Sequence, residues 1–200
     1  TLKLSNIGNM LTYSMNENSM ISYRQMEILI SNGKIIEIGT NVPDADQLID
    51  CENKLVTPGF VDCHTHPVFV DDRENEFEMR SKGSSYEDIA NAGGGINSSV
   101  IGVRNSSEKE LYNRVISRMD KFLKLGTTTI EAKSGYGLNT DAEIKSLKVL
   151  HEINLNHQID IVPTFMGAHA IPKEYSSNID SYVDLICDSM IPQVAQQGIA

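Results

Sequence analysis

The sequence predicts an α/β protein in which a small β domain precedes strand-to-helix units of a parallel sheet. Residues 1–57 carry strand and turn signals and no long helical pattern. From Pro58 onward, short β-branched strands alternate with amphipathic helices. Each of these strands runs into a loop of polar and small residues, the arrangement of successive βα units. The expected division is therefore 1–57 for the β domain and 58–200 for the α/β part.

In the first part, Glu27–Ser31 and Lys34–Ile38 flank Asn32-Gly33, the dipeptide best suited to a two-residue type I′ hairpin turn, and Lys54–Val56 reads as a further strand. Next comes Thr57-Pro58-Gly59-Phe60-Val61-Asp62, a turn and a short apolar strand, ending in His64-Thr65-His66. A helix from about Glu108 to Leu125 opens with Ser107 and Glu110 at capping-box spacing. Leu111, Val115, Met119, Phe122 and Leu123 form its apolar stripe, and Gly126 closes it as a C′ glycine. Thr127–Ala132 is the second strand of the α/β part, followed by the glycine loop Ser134-Gly135-Tyr136-Gly137. Thr140 and Glu143 then open a helix with Ile144, Leu147 and Leu150 inward. The third strand spans Ile159–Phe165, and Ile179, Val183, Ile186 and Met190 mark a last helix that Pro192 should kink or end. Three such units do not decide between an open and a closed sheet.

Composition excludes some functions. The 200 residues carry 17 Lys and Arg against 27 Asp and Glu, a formal net charge of −10. That balance argues against nucleic acid and anionic membrane surfaces as partners. Cys51, Cys63 and Cys187 are too few and scattered for a disulfide framework or a Cys-x-x-Cys zinc site. With no long apolar run and no signal-peptide pattern, the chain reads as cytoplasmic. A homodimer is the base-rate expectation.

The chemistry-bearing residues fall in three loops at strand ends, where α/β proteins place their sites. Alternation along a strand puts His64 and His66 on one face, two preoriented imidazoles and so half of a metal site. Arg73, in an acidic chain, is suited to bidentate binding of an anionic group, or pairs with Glu76 or Glu78. Tyr136 sits between two glycines in the second loop. His169 ends the third strand and, on the residues alone, could serve as a third metal ligand. His151 and His157 lie at the opposite end and read as structural, and Lys133 reads as solvated. Gly93-Gly94-Gly95 lacks the Lys-Ser/Thr pair of a phosphate-binding P-loop.

Together these segments resemble the imidazolonepropionases of the amidohydrolase superfamily. The resemblance rests on Thr57–Asp62 with His64 and His66, then Arg73-Glu74-Asn75-Glu76-Phe77, Ala92-Gly93-Gly94-Gly95-Ile96, Glu131–Leu138 and Thr164–Ala170. It implies a (β/α)8 TIM barrel, of which this chain holds the first three βα units, preceded by part of a small β-sandwich domain. It further implies one bound zinc or iron with His64 and His66 as ligands. Arg73, Tyr136 and His169 match substrate-contacting positions for a small anionic ring, imidazolone propanoate, with His169 also catalytic. The remaining metal ligands and an acidic group beside the reacting water belong, in the family, to later strands. One departure is Asp71-Asp72, where the family tends to have glycine. Alternative readings are another amidohydrolase acting on a cyclic amide or amidine, and a non-catalytic fragment that scaffolds a partner.

Overall fold

A computed structural model of the chain describes residues 1–70, 72–91 and 94–200, and they divide into two units, Thr1–Gly59 and Phe60–Ala200. The first contains β1 (Leu2–Ser5), β2 (Asn9–Ser14), β3 (Ser19–Arg24), β4 (Glu27–Ser31), β5 (Lys34–Gly39), β6 (Gln47–Asp50) and β7 (Leu55–Val56). They form two small sheets, ordered β5-β4-β1-β6 and β3-β2-β7. Asn32 and Gly33 both adopt positive φ, 50° and 73°, so β4 and β5 pair antiparallel about the two-residue turn expected there. Ile7, Met10 and Ile28 make the small core of this unit, with Leu4, Ile30 and Val56 against them.

In the second unit β8 (Phe60–Thr65), β9 (Thr127–Lys133) and β10 (Asp160–Thr164) lie side by side in that order, all parallel. Between β8 and β9 run α1 (Glu74–Ser81), α2 (Tyr86–Asn91), α3 (Ile96–Asn105) and α4 (Glu108–Lys124); α5 (Thr140–Asn156) joins β9 to β10. Ile130 and Ala132 of β9 and Ile161 of β10 bury one sheet face in a cluster with Leu111, Val115 and Met119 of α4 and Val149, Leu150 and Ile153 of α5. Each of the larger of these side chains contributes roughly 1.5–3 kcal/mol on leaving water. That face fixes the sheet, and the loops after the strands carry the candidate site.

Helix ends follow their chemistry with one correction. Ser107 and Glu110 close a full capping box on α4, and Gly126 follows its end at φ 90°. At α5, however, the N-cap is Asn139, whose side chain accepts from the Ala142 N–H. Glu143 is freed from capping and turns to the glycine loop. A second correction concerns the last helix. Ile179 and Val183 are exposed while Tyr182, Ile186 and Met190 are buried. Pro192 does not end the helix: α6 (Ile179–Leu185) passes through a π-helical turn at Ile186–Met190 into α7 (Ile191–Gln197). The Ile191 N–H donates to Ile186 O, the wider spacing expected where a helix takes in a proline. Among the described residues no helix is long and apolar enough to cross a membrane.

Candidate active site at the strand carboxyl ends

The first loop begins in a local irregularity. Register shifts between Asp62 and Thr65 of β8, which lie opposite Ile130 and Ala132 of β9, so three steps of one strand match two of the other. Such a bulge re-aims side chains. Thr65 turns its hydroxyl to Glu131 O at 2.7 Å, and the His64 and His66 rings meet edge to face with centroids 5.6 Å apart. His64 is exposed and His66 half-buried.

The second loop is the hub. Ser134, Gly135, Gly137 and Leu138 are all buried, and Tyr136 stands between the two glycines. Gly135 has φ 106° and a Cβ there would sit 2.9 Å from His169 Cβ, so the turn demands glycine. Leu138 holds φ 52°, a strained conformation for a branched side chain. Two charged groups impose it. The Glu143 carboxylate, fully buried, accepts from the N–H groups of Gly135, Gly137 and Leu138 at 2.9, 2.7 and 2.8 Å. From the other side Arg104 donates to Gly137 O at 2.7 Å and Leu138 O at 3.0 Å, and pairs with Glu174.

The third loop, after β10, brings in His169. Its ring stacks on His66 with centroids 4.5 Å apart and 18° between planes, and Tyr136 lies 5.4 Å from His66 and 5.3 Å from His169. His66, Tyr136 and His169 thus form one aromatic cluster drawn from three loops. His66 Nδ1 is 3.1 Å from Ser134 O, and His169 Nδ1 is 2.9 Å from Gly135 O. A carbonyl only accepts, so both rings carry the proton on Nδ1 and present the Nε2 lone pair. Tyr182 anchors this loop by donating its hydroxyl to Gly167 O at 2.6 Å.

Arg73 starts α1 and meets Glu76: Nε and Nη2 donate to one carboxylate oxygen at 2.8 and 2.6 Å. The other Glu76 oxygen accepts from the Gly95 N–H at 2.6 Å, an amide that a phosphate cradle would have needed free. Ala92 and Gly93 of that motif, and Asp71, lie outside the described residues. Asp72 pairs with Arg118 at 3.6 Å, so its charge is met there. Arg118 also donates to Pro67 O and Phe69 O at 3.0 and 2.7 Å, with its guanidinium 3.4 Å above the Phe69 ring.

Burial favours the uncharged forms of His66 and Tyr136. Burial, reinforced by the neighbouring His169, pushes the His66 imidazole down to about 4. Burial raises the Tyr136 phenol, against a smaller pull from the Arg73 charge, which places Arg73 within electrostatic reach of the cluster. Lys133 is not solvated as expected: it is largely buried and ion-paired with Glu131, whose carboxyl it holds below the usual range. His157 is structural, accepting from Ile159 N–H and facing Asp120. Arg104 and Arg118 went unnoticed in the sequence because their partners are distant backbone groups, whereas Glu143, read there as opening a helix, turns to amides of the loop just before it.

Two imidazoles with a free Nε2 at His66 suit a zinc or iron ion as part of its shell. Among the described residues no group of three His, Cys, Asp or Glu is placed to hold a metal ion.

The fold is similar to that of solved amidohydrolases. It matches an amidohydrolase crystal structure with TM-score 0.52 and 18% identity, over 82% of this chain and 31% of that one. It also matches atrazine chlorohydrolase TrzN from Arthrobacter aurescens TC1, complexed with zinc and atraton, with TM-score 0.54 and 15% identity over 82% and 35%. No family model matches. In sequence, the chain is similar to imidazolonepropionases. It is 45% identical to that of Brevibacillus brevis, over 93% of this chain and 46% of the relative. With that of Aliivibrio fischeri it shares 46% identity over 88% and 44%, and with that of a Geobacillus species 41% over 100% and 49%. The chain spans about half the length of the curated relatives it matches.

Proposed function

We propose that this chain is part of an imidazolonepropionase, a cytoplasmic enzyme of histidine degradation that hydrolyses 4-imidazolone-5-propanoate to N-formimidoyl-L-glutamate. The observation that carries this reading is the 41–46% identity to imidazolonepropionases across most of the chain. In this reading the second unit is part of a (β/α)8 barrel and the first part of a small β-sandwich.

His64 and His66 would hold one zinc or iron ion, a reading supported by the zinc in the TrzN neighbour. When bound, such an ion supplies Lewis acidity and a water acidic enough to attack near neutral pH. The chain's own groups do the rest. His169, its Nδ1–H held on Gly135 O, takes the proton of the attacking water at Nε2 and then donates that N–H to the developing oxyanion. Tyr136, kept protonated by burial, donates a hydrogen bond to the ring. Arg73 binds the propionate, sharing its guanidinium with Glu76.

The test uses the full reading frame that contains this chain, assayed for bound metal and for loss of imidazolone propanoate. Metal-dependent turnover is expected. A protein that opens other cyclic amides while sparing this substrate would refute the assignment. R73A is expected to raise KM about 10–100-fold, the loss of a charge-assisted pair, with kcat little changed; an unchanged KM removes Arg73 from the site.

A further inference from the structure

The fully buried Glu143 carboxylate bonds to the peptide that meets the His66 ring. Ser134 C=O and Gly135 N–H belong to one trans peptide plane, in which carbonyl and amide point in opposite directions. The N–H points to Glu143 Oε2 at 2.9 Å and the C=O to His66 Nδ1 at 3.1 Å. Fixing one end of this plane fixes the other. The next carbonyl, Gly135 O, faces His169 Nδ1 at 2.9 Å. Glu143 Oε1 meanwhile holds Gly137 and Leu138 at 2.7 and 2.8 Å, which closes the loop around Tyr136. Ser134 is held independently, its Oγ accepting from Met166 N–H at 2.9 Å and its N–H donating to Thr164 O at 2.9 Å, so a rotation of this peptide occurs about a fixed residue.

We propose that Glu143 is a positioning residue that acts through the Ser134–Gly135 peptide, a carboxylate–peptide–imidazole relay that sets the Nδ1–H tautomer and ring orientation of His66, and through the same loop places His169 and Tyr136. A negative acceptor also polarises the peptide, strengthening its carbonyl toward the imidazole. The inference rests on the proposed role of His66 as a metal ligand. Partners of this kind, one bond beyond a ligand, commonly change metal affinity by about 10–100-fold when removed.

E143Q separates this role from packing. The glutamine oxygen can serve Gly137 and Leu138, but its amide NH2 then meets the Gly135 N–H, donor against donor. In the full-length protein, nitrogen NMR of labelled histidines should show metal-free wild-type His66 with its proton on Nδ1. E143Q should show loss of that single tautomer, zinc affinity about 10–100-fold lower, and kcat about tenfold lower or more with KM within about threefold. E143D, which keeps both oxygens and the charge, should lose less zinc affinity than E143Q. Folded E143Q with an unchanged tautomer and zinc affinity overturns the proposal. So does wild-type His66 protonated on Nε2, a result available even if E143Q fails to fold. Wild-type protein without imidazolone propanoate turnover would sink the proposed function while the tautomer and zinc readouts still decide the relay.

Discussion

The loops after β8 and β9 both bring candidate residues to the same cluster, but the first is held by one charged side chain and the second by two of opposite sign. After β9, every strained turn is bonded from two sides: Glu143 takes three N–H groups and Arg104 two carbonyls. After β8, Arg118 is the one of these three charged groups that takes part, collecting the carbonyls of Pro67 and Phe69. The sign of each charge matches the backbone group it serves, since a buried amide needs an acceptor and a buried carbonyl a donor. The more fully bonded loop carries the carbonyls that orient both imidazoles. The less bonded one leads into Arg73, the group read as facing a substrate carboxylate.

Removing the anchors should rank the loops. E143A leaves three buried N–H groups without an acceptor and is expected to cost about 3–5 kcal/mol of unfolding free energy in denaturant titration. R118A strips two partly buried carbonyls of their donor and uncovers the Phe69 face, an expected loss of about 1–2 kcal/mol. If R118A proved the costlier, the contrast between the loops would be reversed. Y182F, which removes one hydroxyl donor to Gly167 O in the third loop, should cost about 1 kcal/mol.

The same cluster predicts a pH dependence. Folding lowers the His66 imidazole from its ordinary 6.5 to about 4, so the unfolded chain binds the proton more readily. This contribution is present above about 6.5 and is lost as pH falls toward about 4. In metal-free protein, wild type should lose more stability than H66Q across that window. Parallel pH profiles for the two would show that His66 is not held neutral by its surroundings.

Ser107/Glu110 and Thr140/Glu143 have the same spacing in the sequence, and they explain what could be read from it. The first pair is a capping box because nothing else competes for Glu110. The second is not, because Asn139 caps α5 and the amides of the preceding loop claim Glu143. Local turn and cap chemistry, as at Asn32-Gly33, is legible because both partners sit within a few residues. The histidines and Tyr136 were legible for a related reason: strand ends in a parallel sheet converge whatever the loops do. Arg118 and Arg104 were not, since their acceptors lie tens of residues away and are backbone atoms without a sequence signature. Lys133 was misread because its partner Glu131 lies two residues away on the same strand face, a pairing that burial of that face made worthwhile.

The central claim is that His64 and His66 are the metal end of a pocket completed by Tyr136 and His169. Its most direct test is zinc and iron stoichiometry in the full-length protein, compared with H64A, H66A and, as a control on the same cluster, H169A. The account predicts near one metal per chain in wild type and H169A, and little in H64A or H66A. Full metal content in H64A and H66A would contradict it.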